Sequence, residues 1–319
     1  MSIKVGVLGI GEHARRNILP ALDECNSVKL VGLSGRNTEH LEKESQKYNC
    51  TAYVNPEDML SDPKIDVVYI ALPVGLHKEW GDRVLQAGKH LWCEKSLTHD
   101  PELSRQLISK AQQHDLCVCE CFMYVHHPMF EHLKKIMRGK EIGSIRSITA
   151  RFGFPHLSPD NIRYNKMLGG GALLDVGCYL LHAIRHLSNE QPDKIYSLLT
   201  REETYEVDTR GTALLGFPSG LQAHLEWGFG YSYMNEINIW AEKGFVNVKR
   251  AFSKPSDHTS VIEIWDTNGQ SRNITIPPNN HFVSMFNNFA KACIQIDLRQ
   301  LYLKDAEQQA FIMEKIKKH

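Results

Sequence analysis

The sequence predicts an α/β protein, with an N-terminal doubly wound Rossmann domain and a C-terminal α+β domain built on a large, mainly antiparallel open sheet. Three observations lead there. Up to residue 121, short β-branched runs alternate with longer helical stretches, the rhythm of a parallel sheet with helices on both faces. Beyond residue 121 a series of extended runs is parted by Gly-, Pro- and Asn-rich turns, the pattern of antiparallel strands. The 319 residues are too many for one typical domain and suit two. The expected domains are 1–121 (dinucleotide binding) and 122–319 (substrate binding and oligomerisation).

Strands are expected at 3–8, 28–33, 67–70, 90–92 and 116–119. Each is nearly continuous apolar, as in strands buried on both faces. Helices are expected between them, near 15–24, 38–48, 76–87 and 101–114. Asp100-Pro101 is a helix start, with Asp as N-cap and Pro at the first helical position. In the second half, 128–137 reads as a helix and 144–152 as a strand. Gly169-Gly170-Gly171 opens a long apolar helix to about residue 187. Extended runs follow at 193–200, 211–216, 222–228, 237–240, 245–248 and 261–265, then two helices near 284–293 and 305–317.

Composition excludes several classes. With 42% hydrophobic and 23% charged residues and no biased tract, disorder is a poor description. Lys plus Arg balances Asp plus Glu at 37 each, so no global field draws nucleic acid or an anionic membrane. No basic, aromatic-laced stripe stands out either. No apolar run reaches the roughly 18 residues of a membrane span. Met-Ser-Ile-Lys-Val-Gly-Val leads straight into a strand rather than a secretory signal. The expectation is a cytoplasmic protein without nucleic-acid or membrane partners. Eight cysteines do not make a disulfide scaffold at this length; Cys117, Cys119 and Cys121 read as buried thiols on one strand face. The sixteen histidines are scattered, and His126-His127 lack chelating spacing, so no metal is expected.

Gly9-Ile10-Gly11-Glu12-His13-Ala14 fits G-x-G-x-x-A between a strand and a helix. Gly9 permits the tight turn, Gly11 lets backbone approach a pyrophosphate, and Ala14 lets helix and strand pack closely. The helix N-terminus offers N–H groups and a positive dipole end to phosphate. A ligand-free strand-to-helix turn would accommodate the same residues. After the second strand come Ser34, Gly35 and Arg36, with no carboxylate before Glu39. An NAD site usually has an acid there, whereas the arginine fork suits a 2′-phosphate. NADP(H) is therefore the preferred cofactor and NAD(H) the alternative; a surface arginine that touches nothing would look the same.

Glu94-Lys95 follows the strand at 90–92, at the sheet's carboxyl edge where ligands bind. A lysine beside a nicotinamide can donate a proton or hydrogen bond to a carbonyl oxygen, given surroundings that lower its ordinary pKa. A lone strand-end lysine is also commonly just solvated. Asp175, Tyr179 and His182 are spaced i, i+4, i+7 and share one helical face. They form either a satisfied polar stripe or an active-site wall.

These features resemble the glucose–fructose oxidoreductase / inositol dehydrogenase / MocA family over nearly the whole chain. The resemblance rests on the glycine motif with Leu19-Pro20-Ala21-Leu22, on Leu72-Pro73-Val74-Gly75-Leu76-His77, on Glu94-Lys95 and on the G-G-G-x-L-x-D-x-G helix. Glu120-Cys121-Phe122-Met123-Tyr124, followed by His127-Pro128, is similar to a further family segment. Ser96 replaces the proline of the family's E-K-P, and Tyr179 stands where the inositol dehydrogenase branch has histidine. Tyrosine there, with Asn161-Ile162-Arg163-Tyr164 and Ala251-Phe252-Ser253-Lys254-Pro255, is similar to the sugar ketoreductase branch.

The resemblance implies roles. Lys95 is the principal acid/base and anchors the substrate oxygen, and Tyr179 is the second proton donor or acceptor. Asp175 orients a substrate hydroxyl or Lys95. Tyr124 and His182 lie on the substrate side, and Arg163 meets cofactor phosphate or substrate. Leu72, Pro73, His77 and Glu94 border the nicotinamide end. The implied reaction is hydride transfer between NADP(H) and a secondary alcohol or ketone of a sugar-like substrate, with NADPH-dependent keto-sugar reduction preferred. The alternatives are a dehydrogenase of a free sugar, inositol or trans-dihydrodiol, and a non-catalytic nicotinamide sensor. A homodimer or homotetramer through the C-terminal sheet is also implied.

Overall fold

The structure is a computed structural model that describes residues 2–139 and 141–318. It divides into two compact units. One runs through Met123 and includes Phe282–Phe311; the other comprises Tyr124–His281 and the residues from Ile312 onward.

The first unit holds β1 (Ile3–Leu8), β2 (Val28–Ser34), β3 (Thr51–Tyr53), β4 (Val67–Ile70), β5 (His90–Cys93) and β6 (Val118–Glu120). They form one sheet in the order β3-β2-β1-β4-β5-β6, parallel throughout. The strand order reverses direction at β1/β4, the switch point where doubly wound sheets bind ligands. Between the strands lie α1 (Leu19–Glu24), α2 (Thr38–Lys47), α3 (Pro56–Ser61), α4 (His77–Gln86) and α5 (Pro101–Gln113). β1 and β4 are sealed on both faces: Val5, Val7, Val67, Val68, Tyr69 and Ile70 are all fully buried. The Asp100 carboxylate accepts from the Glu102 N–H at 2.7 Å, with Pro101 at the first helical position. The sequence reading misses β3 and α3. β3 is three residues long and largely exposed at the sheet edge, so no apolar run marks it.

The second unit contains α6 (Pro128–Arg138), β7 (Ile145–Phe154), α7 (Cys178–Ser188), β8 (Lys194–Thr200), β9 (Arg210–Gly216), β10 (Gln222–Phe229), β11 (Met234–Ala241), β12 (Gly244–Lys249), β13 (Ser260–Asp266) and β14 (Ser271–Ile276). The eight strands run β14-β13-β12-β11-β7-β10-β9-β8. β7 and β10 pair in parallel and every other pair is antiparallel. In β9, β10 and β11 buried and more exposed residues alternate, as in a sheet with one packed face and one open face. β14 is a mostly exposed edge strand, which is why apolar patterning does not reveal it. The run Lys166–Ser188 is long and apolar enough by composition to cross a membrane, a qualification to the sequence reading. Yet 72% of its apolar window is buried inside the protein, so its apolarity serves the core.

The last two helices are α8 (His281–Ile294) and α9 (Ile296–Lys318). The sequence reading assigns both to the second domain, but Phe282–Phe311 packs into the first unit. Phe286 stacks on Trp92 of β5 with ring centroids 5.7 Å apart and meets Tyr69 of β4 edge-on. Leu303 and Ala306 enter the core formed by Val68, Ile70, Leu91 and Val118. Their apolar stripe is matched by the aromatic face of a sheet far earlier in sequence, a pairing that no local pattern encodes.

One buried group in the second unit titrates unusually. Lys254 is buried, donates to the Ala251 carbonyl at 3.1 Å, and is pulled down to about 7 by desolvation. The fold therefore favours the neutral amine. Between pH 7 and the ordinary lysine range the unfolded chain binds more protons than the folded one, so stability rises with pH across that window and is flat below it. Lys254→Met should raise Tm at pH 7, with the advantage shrinking toward pH 10, when both proteins are melted across the pH series. An equal difference at every pH would contradict the assignment.

Candidate active site

β1 ends in a turn that requires glycine. Gly9 has φ +100°, and a Cβ there would lie 2.7 Å from the Ala71 carbonyl oxygen. Its N–H donates to the Ser34 carbonyl at 2.9 Å, tying the ends of β1 and β2 together. Ile10 packs over Gly35, where a Cβ would come within 2.5 Å of the Ile10 side chain. Over Gly11 there is open space: among the described residues, none beyond its two chain neighbours comes within 4 Å of where its Cβ would stand. Ala14 is buried at the start of a π-helical turn, Ala14–Ile18, that leads into α1, so the predicted helix does not open as α. Exposed Glu12 pairs with Arg16 at 2.7 Å.

Ser34 is buried and its hydroxyl has no hydrogen-bond partner among the described residues. Arg36 is exposed. Asn37 turns away to cap α2, accepting from the His40 N–H at 2.8 Å. The open cradle over Gly11, the orphaned Ser34 hydroxyl and a cationic strand end without a carboxylate fit a dinucleotide bearing a 2′-phosphate.

At the ends of β4 and β5, a polar chain converges on Glu94. The Tyr69 phenol donates to Glu94 Oε1, and His13 Nε2 lies 3.0 Å from the same oxygen. Asn17 Nδ2 faces His13 Nδ1 at 3.1 Å, which leaves the imidazole proton on Nε2, directed at Glu94. Burial alone would push the Glu94 carboxyl up. His13, Tyr69 and neighbouring Lys95 outweigh it and hold the group below its usual range, as carboxylate. Lys95 is half-buried, and the Lys95–Ser96 peptide is cis.

His77 is fully buried, with Nδ1 2.9 Å from the Ser96 carbonyl and Nε2 2.8 Å from the Leu72 carbonyl. Burial lowers its pKa against the two carbonyls, which act to raise it, and in the neutral ring only one of the two nitrogens donates. Both nitrogens face backbone, so His77 is a strut between the loop of Leu72 and Pro73 and the turn after Lys95, not a ring exposed to a ligand. Glu120, which the sequence reading treats only as part of a resemblance, accepts from the Leu97 N–H at 2.8 Å and pins the same turn.

In the second unit, Gly169 and Gly171 have φ +74° and +120°. Gly170 and Gly171 donate to the carbonyls of Asn165 and Arg163, each at 2.9 Å, so the preceding loop is laced onto the glycine triplet. Asp208 then caps the site helix. Its carboxylate accepts from the Leu173 N–H at 2.6 Å and its carbonyl from the Ala172 N–H at 2.8 Å. Asp208 lies far downstream in sequence, and no local pattern marks it as a cap.

The helix begins as a π turn, Leu173–Gly177, before becoming α7, a distortion often found at functional sites. Asp175 lies within the π turn, while Tyr179 and His182 lie on α7. Asp175 Oδ2 accepts from Arg163 Nε at 2.7 Å, and the carboxylate raises the arginine's pKa. Tyr179 is nearly buried among Phe152, Tyr124 and Phe252, with ring centroids 5.6, 5.7 and 6.0 Å away. Tyr124 bonds His182 Nδ1 at 2.7 Å and donates to the Tyr179 carbonyl at 3.4 Å. Both Tyr124 and His182 are buried, so they brace the tyrosine backbone from behind. Phe152 and Phe252 complete this cage and carry no signal in sequence beyond being apolar.

Comparison with known proteins decides the family. The oxidoreductase family with NAD-binding Rossmann fold matches residues 3–122, and the GFO/IDH/MocA C-terminal domain matches residues 130–247. The chain belongs to the GFO/IDH/MocA oxidoreductases. Among its GFO/IDH/MocA relatives, dTDP-3,4-didehydro-2,6-dideoxy-alpha-D-glucose 3-reductase of Saccharopolyspora spinosa is 32% identical over 289 residues, 91% of this chain and 87% of that protein. Trans-1,2-dihydrobenzene-1,2-diol dehydrogenase of Xenopus tropicalis is 28% identical over 312 residues, 95% and 90% of the two chains. The crystal structure of a 3-ketoreductase from Actinomadura kijaniata with NADP and TDP-benzene matches with a TM-score of 0.94 and 29% identity, covering 100% of this chain and 98% of that one. Variants of that reductase with one tyrosine or one lysine replaced were crystallised with the same ligands.

Proposed function

We propose that this GFO/IDH/MocA chain is an NADPH-dependent ketoreductase acting on a keto-sugar carried by dTDP, with Lys95 and Tyr179 handling the proton. The observation that carries this reading is the end-to-end match to a 3-ketoreductase that holds NADP and a TDP compound. The lysine and tyrosine replaced in that enzyme are spaced along its chain as Lys95 and Tyr179 are along this one.

The turn from Gly9 to Ala14, with Ser34, Gly35 and Arg36, holds the dinucleotide. Leu72 and Pro73 border its nicotinamide end, while His77 fixes their loop. A nicotinamide held there would supply the hydride for the carbonyl carbon. Lys95 donates a hydrogen bond, and then its proton, to the carbonyl oxygen. The Tyr179 phenol is the second donor on the same oxygen. Carbon gains hydride, oxygen gains a proton, and the donor is reprotonated from solvent. Asp175, held by Arg163, orients a neighbouring sugar hydroxyl.

NADPH oxidation should be followed with a panel of dTDP-linked and free keto-sugars. Turnover confined to nucleotide-linked ketones is expected. Turnover only in the oxidative direction on free sugars or diols would favour the reading suggested by the dihydrodiol dehydrogenase relative. Tight NADPH binding with no turnover anywhere would favour a nicotinamide sensor.

Arg36 supplies the cofactor preference in this reading. Arg36→Ala should weaken NADPH binding by about tenfold or more, the value of a lost charge-assisted phosphate contact, and leave NADH binding unchanged in a fluorescence titration. Equal losses for both would contradict the role.

The eight cysteines form no disulfide, in keeping with a reducing, cytoplasmic setting. The open face and edge of the C-terminal sheet expose Tyr196, Leu198 and Trp240 at 65%, 63% and 67%. Such apolar residues on a sheet face suit a second copy of the chain. Light scattering that gives a monomer would rule out this homodimer or homotetramer.

A further inference from the structure

We propose that an aromatic surface beside Arg163, made of Tyr205 stacked on Tyr164 with His156 alongside, receives the nucleotidyl end of the substrate. The base lies against Tyr205 and His156, and the diphosphate lies at Arg163. This rests on the ketoreductase reading above and gives the nucleotide a place in the second unit.

The reaction machinery uses none of these rings, yet they are closely organised. Tyr164 and Tyr205 stack with centroids 4.2 Å apart and planes 17° from parallel. His156 lies nearly parallel to Tyr205 at 6.4 Å. The Tyr164 hydroxyl is fixed by the Leu157 N–H and by His156 Nδ1, each at 3.1 Å. Tyr164 also meets Phe229 edge-on at 5.5 Å. Tyr164 is buried, Tyr205 half-buried and His156 exposed. The group is thus an anchored ring carrying others out to solvent. Tyr205 sits in Arg-Glu-Glu-Thr-Tyr-Glu-Val-Asp, 201–208, a charged link between β8 and β9, where a core role for a tyrosine is not expected.

The chain itself connects this surface to the reacting end. Arg163 immediately precedes Tyr164, and its Nε is held by Asp175, on the helix turn ahead of Tyr179. The carbonyls of Arg163 and Asn165 are bonded to the glycine triplet, so the loop is fixed against that helix. From Tyr179 through Arg163 to Tyr205, the groups follow the order of a nucleotide-linked sugar: sugar, phosphates, base.

The chemistry agrees with that order. Aromatic rings accept any base face, and a guanidinium suits phosphate oxygens. The two terminal amino groups of Arg163 make no hydrogen bond among the described residues, and its side chain is 39% exposed. Glu202 lies on the other side, its carboxylate 3.7 Å from His156 Nε2 and 4.0 Å from Arg210 Nε. A carboxylate there repels phosphate and can accept from a ring N–H or ribose hydroxyl. That sets the diphosphate at the Arg163 end.

The test is calorimetric titration of dTDP into NADPH-saturated protein. Wild type should bind, and Tyr205→Ala should bind about tenfold more weakly, within the range of one base–aromatic stack. Tyr205→Phe should restore most of the affinity. His156→Ala, a change at an exposed ring, gives a second reading should Tyr205→Ala fail to fold. Unchanged dTDP affinity in Tyr205→Ala and His156→Ala, with wild type still reducing dTDP-linked ketones, would overturn this surface and leave the ketoreductase reading intact. Displacement of NADPH by dTDP would put the nucleotide in the glycine turn and also overturn it. No dTDP binding by an NADPH-competent wild type would remove the nucleotide-linked substrate and this surface with it.

Discussion

Lys95→Ala should lower kcat for ketone reduction by about 10²–10⁴-fold, the usual worth of a positioned general acid, while NADPH binds with near wild-type affinity. In the proposed reading the Gly9–Ala14 turn and the end of β2 hold the dinucleotide, and Lys95 serves the carbonyl oxygen. Its loss removes the proton donor without loosening the turn, since that turn is pinned independently by His77 on the Ser96 carbonyl and by Glu120 on the Leu97 N–H. Single-turnover measurement with preformed NADPH complex separates the two effects. Equal losses in binding and chemistry would mean that Lys95 holds the cofactor instead.

Gly171→Ala should destabilise the second unit by about 3 kcal/mol. Left-handed backbone strain costs about 1–2 kcal/mol for a residue with a Cβ. A Cβ there would also collide with the Asp208 carboxylate, which caps Leu173, and a lost cap costs about 0.5–2 kcal/mol. For a unit of this size Tm should fall by roughly 6–12 °C, and the helix that presents Tyr179 should start raggedly. Calorimetry reads the first effect and kcat the second. A variant with unchanged Tm would show that the Asp208 cap is not holding the helix start.

Much of this site is legible in the sequence because its chemistry depends on local constraints. Gly9 needs its positive φ at the strand end, and Asp100-Pro101 starts a helix by its own hydrogen bond. Lys95 closely follows a strand whose apolar run is unmistakable. What sequence cannot convey is pairing across distance. Asp208 reaches back to cap a helix some thirty-five residues earlier. His77 joins two loops rather than facing a ligand. Phe286 finds Trp92 from the far end of the chain, which moves a helix expected in one domain into the other. The π turns at Ala14–Ile18 and Leu173–Gly177 follow from such packing and have no compositional mark.

The most direct test of the chemistry is a crystal structure of the protein with NADP and an unreactive dTDP-sugar analogue. Lys95 Nζ and the Tyr179 hydroxyl should both lie within hydrogen-bonding distance of the ligand oxygen that stands for the ketone. A complex in which they contact different parts of the ligand, or in which either group faces elsewhere, would contradict that chemistry.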